Sequence, residues 1–209
     1  LVASFVGANV KEIKSLVKKH QADLISTFYQ KELKLLQTRI TKNPLPNPDA
    51  LQAHNISLRI PPSFKPEIEQ DDLMVLWSKT LKTDQGIIIH FRPLVDNQAV
   101  MGNDIVPLRD SLTKLYIPGE LEGSYMVTET LIAPRIEPTE IANSFAFKTR
   151  GLWKTKGEFK GGPFISYTIY DEKNNQEITL DAFIYAPEIN KRNLLLELES
   201  ILSTFEMLN

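Results

Sequence analysis

The sequence contains no cysteine. This absence excludes disulfide bonds, thiolate metal sites and cysteine nucleophiles within the 209 residues. It leaves the compartment open, because a chain without cysteine is compatible with both reducing and oxidising surroundings. Long apolar stretches are missing too, since no run approaches the roughly 18 residues that a membrane helix needs. We therefore expect a globular chain without a spanning helix.

An excess of positive charge is also missing. The chain carries 24 basic and 26 acidic residues, a formal net charge of −2. Proteins that bind nucleic acid usually show a strongly basic balance. The composition therefore predicts no nucleic acid among the partners.

The sequence lacks the short motifs that mark common catalytic and cofactor sites. There is no GxxxxGK(S/T) or GxGxxG loop, no HExxH helix and no GxSxG elbow. The three histidines, His20, His54 and His90, are far apart in the chain and lack metal-ligand spacing. We therefore predict no cofactor, no metal site and no catalytic residues, and we expect that the protein is not an enzyme.

The order of the elements predicts one α+β domain over residues 1–209. Residues 1–43 have helical periodicity, residues 44–53 form a Pro-rich linker loop, and residues 54–209 form a sheet with a C-terminal helix. Because strands follow strands through short loops, we expect a mainly antiparallel sheet packed against helices. The element order is similar to that of the PsbP/Mog1-like sandwich, a likeness of fold that implies no function.

The N-terminal helix has lysines opposite an apolar stripe that starts with Val10, Ile13, Leu16 and Val17. Two interpretations are open. A basic amphipathic helix can dock on a membrane surface, or it can cover a sheet with its apolar face. Interleaved acidic residues favour the second interpretation.

Near the C-terminus the sequence predicts a hairpin that turns at Asn174-Asn175, since asparagine tolerates positive φ. This turn would pair Ile169 with Leu180 and Ile165 with Ile184, and it would make one face of the hairpin apolar.

The stretch "RGLWKTKGEFKGGPF", residues 150–164, combines cations, aromatic residues and glycines. We predict one strand over residues 144–156, followed by a glycine-rich turn. Side chains alternate between the two faces of a strand. One face would carry Phe145, Phe147 and Trp153, and the other would line up four cations facing water: Lys148, Arg150, Lys154 and Lys156.

Two interpretations of this cationic face compete. The cations could hold phosphate or carboxylate groups while an aromatic ring stacks on the ligand. Alternatively, lysines on an exposed strand prevent edge-to-edge association of sheets. Our candidate binding residues, for a protein partner or an anionic ligand, are Arg150, Trp153, Lys156, Phe159, Gly161 and Gly162.

Two long stretches carry a family resemblance. "RDSLTKLYIPGELEGSYMVTET" and "RGLWKTKGEFKGGPFISYTIYDEKNNQEITLDAFIYAPEINKRNLLLELESIL" resemble a family of uncharacterised lipoproteins from Bacteroidota, through the shared pattern IPG…YM…RGLW…GGPF…KRN. The resemblance is strongest over residues 109–202. It implies an exported protein of the cell envelope, on the periplasmic or outer-membrane face, held by a lipidated cysteine that this sequence does not contain. It transfers no catalytic residues.

These observations lead to one main hypothesis and two alternatives. The main hypothesis is a non-catalytic binding or interaction module of the cell envelope, anchored to the membrane by lipid. The first alternative is a hydrolase of envelope polymers, which would require at least two of Asp72, His90, Glu129 and Asp181 to meet in one pocket. The second is a structural subunit of an envelope assembly.

Overall fold

The computed structural model describes residues 1–94 and 104–208, and it has the predicted α+β architecture. Its helices are α1 (Val10–Ile40), α2 (Asp49–Ala53), α3 (Ile105–Tyr116) and α4 (Arg192–Leu202). Its strands are β1 (Ile56–Ser57), β2 (Lys65–Glu69), β3 (Leu73–Lys79), β4 (Asp84–Pro93), β5 (Tyr125–Thr128), β6 (Arg135–Ile141), β7 (Ser144–Lys156), β8 (Gly161–Asp171), β9 (Gln176–Tyr185) and β10 (Glu206–Met207).

The main sheet has eight strands, and all of its strand pairings are antiparallel. The strand order is β2-β3-β4-β9-β8-β7-β5, and β6 pairs with another part of β7. The short strands β1 and β10 form a separate two-stranded ribbon. The antiparallel α+β fold class predicted from the sequence is confirmed.

The first face of the sheet carries the larger core. Its central strands contribute alternating apolar residues, such as Ile87 and Ile89 of β4 and Leu180 and Ala182 of β9. Helix α4 covers this face with Leu198, Ile201 and Leu202, and α2 adds Leu51. Helix α1 then packs mainly on α4, and its Tyr29 hydroxyl accepts a hydrogen bond from Arg150 of β7. No helix among the described residues is both long enough and apolar enough to cross a membrane.

The second face carries a smaller, more polar core beneath α3. Leu112 of this helix and Ile117 after it pack on Phe164, Phe183 and neighbouring apolar side chains. Arg109 of α3 reaches the sheet, where its Nε donates to Asp181 Oδ2 over 2.6 Å. Both side chains are buried. Because a buried charge is costly without a partner, this ion pair fixes how α3 sits on the sheet.

The C-terminal hairpin forms, but its predicted register is wrong by two residues. Ile169 pairs with Ile178 and Ile165 with Ala182. The turn has four residues instead of two, because the Asp171 carboxylate accepts hydrogen bonds from the backbone and side chain of Asn174 and from Gln176. A slip of two residues keeps every side chain on its predicted face, so the apolar face is still formed.

Candidate functional site

Strand β7 runs from Ser144 to Lys156, as predicted, but its cations do not line up in water. Lys148 Nζ and an Arg150 amino group each lie 2.5 Å from a carboxylate oxygen of Glu199. Glu199 belongs to α4, its side chain is 3% exposed, and it also accepts a hydrogen bond from Tyr29 of α1. The expectation of four cations facing water is therefore wrong, because helices α1 and α4 cover that part of the strand.

The other two cations lie further along β7. Lys154 forms an ion pair with Glu129 over 3.2 Å. Lys156 is exposed, and its ammonium lies 5.7 Å from the centre of the Tyr125 ring. Three of the four cations are thus neutralised by carboxylates of the chain itself.

Trp153 is on the opposite face of β7, where it is 5% exposed. Its indole Nε1 donates to the backbone oxygen of Ile184 over 3.1 Å, so the buried N–H group is satisfied. The ring packs near Phe183 and Tyr185 of β9, with centroid distances of 5.9 Å and 6.4 Å. Trp77 of β3 meets Phe183 edge-to-face at 5.1 Å.

These rings form a small cavity that we call the aromatic pocket. Its volume is about 140 Å³. It is lined by Trp77, Asp84, Ile117, Pro118, Gly119, Glu120, Met126, Trp153, Thr155, Lys160, Phe183 and Tyr185. Both tryptophans of the chain line it. Most of its wall is apolar or aromatic, and its charged groups are Asp84, Glu120 and Lys160, a composition typical of pockets that hold an apolar group in a defined orientation.

Lys160 lies at the edge of the pocket. Its ammonium donates to Glu120 over 2.5 Å and lies 5.1 Å from the centre of the Tyr185 ring. The hydrogen bond to Glu120 raises the pKa of Lys160, so its amine stays protonated. Glu120 is 77% exposed and Lys160 25% exposed, whereas Trp153 is 5% exposed, so the charged pair lies closer to solvent than the Trp153 ring.

Glycines make room for the aromatic rings on this face. Gly86 stands between Trp77 and Phe183 across three neighbouring strands, and a Cβ there would lie 2.2 Å from Phe183 Cζ. Gly162 pairs with Trp153, and its Cβ would lie 1.9 Å from the Ile184 oxygen. A Cβ on Gly161 would lie 2.7 Å from the Trp153 oxygen. The predicted Gly161-Gly162 pair thus allows β8 to approach its neighbours closely.

Two loops frame the pocket and carry exposed apolar residues. Phe159 is fully exposed between β7 and β8, and Leu121 is exposed in the loop before β5. The Glu158 carboxylate joins the loops by accepting hydrogen bonds from Leu121 N, over 2.5 Å, and from the Ser124 hydroxyl. The backbone hydrogen bond from Leu121 lowers the pKa of Glu158, which keeps this carboxylate charged at neutral pH.

The candidate binding residues therefore separate into different environments. Trp153 lines the pocket, Phe159 and Lys156 are exposed on the strand and loop nearby, and Gly161 and Gly162 lie in the sheet beside Trp153. Arg150 is on the other face, paired with Glu199. Trp77, Tyr185 and Lys160 also line the pocket, and the sequence did not predict them as site residues. The available signal was that each half of the sheet has one tryptophan-bearing strand.

The acid–base residues of the hydrolase hypothesis do not converge. Asp181 is bound to Arg109, and Glu129 to Lys154. Asp72 and His90 line one open groove of about 490 Å³, yet no hydrogen bond joins these two described side chains. Burial lowers the pKa of His90. Among the described residues, no group of His, Asp or Glu side chains is arranged to hold a metal ion.

Comparison with known families identifies the sheet-bearing part of the chain. Residues 45–204 match the family described as domain of unknown function (DUF4837). The chain belongs to this family. The match begins after α1, so the N-terminal helix lies outside it.

Two solved structures of low sequence identity are similar to this chain. One is a mutant of protein Mog1, with 12% identity and a TM-score of 0.43, where the similarity covers 74% of this chain and 92% of that one. Another is the Ran-binding protein Mog1p of Saccharomyces cerevisiae, with 12% identity and a TM-score of 0.46, covering 76% of this chain and 93% of that one. Comparison with curated proteins gives no match.

Proposed function

We propose that this member of the domain family is a non-catalytic binding module that holds an aromatic or large aliphatic side chain of a protein partner in the aromatic pocket. The observation that carries the proposal is the cluster of Trp77, Trp153 and Tyr185 around one cavity with charged groups at its edge. Buried aromatic anchors of this kind dominate the energy of many protein interfaces. A cavity of about 140 Å³ suits one such side chain better than a large ligand.

The surroundings of the pocket support a protein partner. Phe159 and Leu121 expose apolar surface on the two framing loops. Exposed apolar groups around a polar-rimmed pocket are typical of interaction sites. An anionic ligand is supported less, because Lys148, Arg150 and Lys154 are already paired with carboxylates.

The chemistry of the pocket supports binding rather than catalysis. Its amine, Lys160, is protonated and paired with Glu120, so it is a poor base and a poor nucleophile. The second carboxylate, Asp84, has no hydrogen-bonding contact with Lys160 among the described residues. Among the described residues that line the cavity, no nucleophile has an adjacent base.

We also propose that the domain is exported and anchored by lipid at the cell envelope. The support is the family resemblance of residues 109–202 described above. Mass spectrometry of the protein isolated from its own cells tests this point, because the proposal requires an acylated cysteine upstream of Leu1. Recovery of the native protein without acylation would contradict it.

Titration with single-residue amides tests the pocket. N-Acetylphenylalaninamide should bind with a dissociation constant of about 1 mM, as expected for a binding free energy of roughly 0.3 kcal/mol per non-hydrogen atom. N-Acetylglycinamide, which lacks the side chain, should not bind. Since both tryptophans line the pocket, intrinsic fluorescence reports occupancy directly.

Two variants locate the binding. Tyr185→Ala removes a wall of the pocket and should weaken binding about tenfold, the equivalent of one ring contact. Phe145→Ala removes an exposed ring of β7 outside the pocket and should leave binding unchanged. Equal binding by wild type and Tyr185→Ala, or no saturable binding, would refute the proposed function.

A further inference from the structure

Helix α1 has two apolar faces on different sides. In its C-terminal half the helix packs on the domain: Leu33 and Ile40 are buried, and Gln37 Nε2 donates to the Ser203 oxygen over 3.2 Å. Tyr29 on the same face reaches Glu199 of α4. These positions fall on one side of a helix of 3.6 residues per turn.

The apolar residues of the N-terminal half face elsewhere. Val10, Ile13, Val17 and Leu24 form a stripe that lies roughly 160° around the helix from the face that contacts α4. Val17 is 40% exposed and Val10 is 67% exposed. Because the two faces point in different directions, the packing of the C-terminal half of α1 on α4 does not cover this stripe.

Residues 1–8 cover only part of the stripe and add apolar surface of their own. Gly7 lies against Ile13, and the Phe5 ring centre is 6.4 Å from the ring of His20. Val2 and Val6 of this segment are almost fully exposed. The N-terminal half of α1 and residues 1–8 therefore present several exposed apolar side chains.

The charge of this region is opposite to that of the rest of the chain. Residues 1–43 carry eight basic and three acidic residues, a net charge of +5, while the whole chain carries −2. Residues 44–209 therefore carry −7. Around the first three turns of α1 the cations are all lysines: Lys11, Lys14, Lys18 and Lys19. Long lysine stems can lie along an apolar surface while their ammonium groups reach outward.

We infer that the N-terminal half of α1, together with residues 1–8, lies on an anionic lipid surface. The apolar stripe would enter the boundary between headgroups and acyl chains, and the lysines would contact lipid phosphates. A second copy of the same helix is disfavoured because both copies carry a net positive charge. The surface of a single helix has no groove for a partner side chain, so a flat lipid layer is the better partner for it.

Vesicle binding of the 209-residue chain tests this inference independently of the aromatic pocket and of any lipid anchor. The chain contains no cysteine, so no thioether-linked lipid can contribute to the result. Vesicles with about 30% phosphatidylglycerol should bind the protein at least tenfold more strongly than pure phosphatidylcholine vesicles. Raising the salt from about 0.1 M to about 0.5 M should weaken the binding, because the lysine contacts are screened.

Matched variants separate α1 from the rest of the surface. Lys14→Glu combined with Lys18→Glu should reduce binding to anionic vesicles at least tenfold. Lys65→Glu combined with Lys82→Glu changes the charge equally on the exposed surface of the sheet domain and should have little effect. Circular dichroism of each variant confirms that the helix content is unchanged.

A labelled cysteine shows where the lipid contact lies. Val17→Cys and Leu81→Cys each create the single cysteine of the chain, and both positions are exposed. An environment-sensitive dye should shift to the blue on anionic vesicles at Val17→Cys and not at Leu81→Cys. Equal binding to neutral and anionic vesicles, no binding at all, or a stable dimer that Val17→Asp dissociates would overturn the inference.

Discussion

Gly162→Ala should strongly destabilise the fold while leaving the surface chemistry of the chain unchanged. A Cβ at this position would lie 1.9 Å from the Ile184 oxygen and 3.2 Å from Trp153 Nε1. Non-bonded carbon and oxygen atoms rarely approach closer than about 3.3 Å. Either β8 must therefore shift by more than an ångström, or the Ile184 carbonyl must turn away from the indole.

Both adjustments cost free energy. Overpacking of a closely packed interior costs about 1–3 kcal/mol. Turning the carbonyl breaks the hydrogen bond from Trp153 Nε1, and a buried donor without a partner costs about 1–3 kcal/mol. We expect a loss of about 3 kcal/mol in the free energy of unfolding. In a chain of this size that loss lowers Tm by roughly 6–12 °C.

Thermal and urea unfolding of the wild type, Gly162→Ala and Gly123→Ala measure the effect. Gly123 has φ of 75° and open space around its Cβ position, so alanine there costs only the backbone strain, about 1 kcal/mol. A Tm of Gly162→Ala within about 2 °C of the wild type would refute the packing explanation. If Gly162→Ala kept the wild-type Tm but lost binding to N-acetylphenylalaninamide, Gly162 would have to contact the ligand directly.

Two further predictions concern buried charge. Glu199→Gln leaves Lys148 and Arg150 without their carboxylate. We expect the free energy of unfolding to fall by about 2 kcal/mol, because Arg150 is 38% exposed and water screens part of the effect. Urea unfolding at neutral pH measures this change, and an unchanged midpoint would contradict the ion-pair cluster. Burial lowers the pKa of His90 below 6.5; Arg92 adds to this effect and Asp72 opposes it. Protonation of His90 therefore opposes folding. The wild type should lose stability as the pH falls from about 6.5 towards the lower pKa of the folded state. His90→Asn should show a smaller loss over this pH range, and identical pH profiles of the two proteins would contradict that assignment.

Local patterns of the sequence were sufficient for the boundaries of β7. Alternation of aromatic and basic residues over residues 144–156 predicts a strand, and Ser144 and Lys156 are its ends. The same alternation separates its two faces correctly. It cannot show which face is covered, because Glu199, which pairs with Lys148 and Arg150, is 49 positions beyond Arg150 in the chain.

The hairpin shows a second limit of local patterns. Alternation fixes which face each residue occupies, but a slip of two residues preserves that face. The register depends instead on the Asp171 carboxylate, which favours a four-residue turn through its hydrogen bonds to Asn174. The hydrogen bonds of the Asp171 turn therefore determine the register of the hairpin, which the apolar pattern does not specify.

The aromatic pocket depends on long-range strand order. Trp77 is on β3, Trp153 on β7 and Tyr185 on β9, and these strands are brought near each other by the order β3-β4-β9-β8-β7. No spacing in the sequence specifies that order. The glycines within strands were the local sign of close packing, since Gly86 and Gly162 lie beside Phe183 and Trp153.

The most direct test of the aromatic pocket is an NMR titration of its two tryptophans. The chain has two indole N–H groups, both from residues that line the pocket, so each gives one separate signal. Addition of N-acetylphenylalaninamide should shift both signals with a common saturation point, and Tyr185→Ala should move that saturation to about tenfold higher concentrations. Saturable shifts confined to backbone signals away from the pocket, with both indole signals unchanged, would contradict the assignment of this cavity as the binding site.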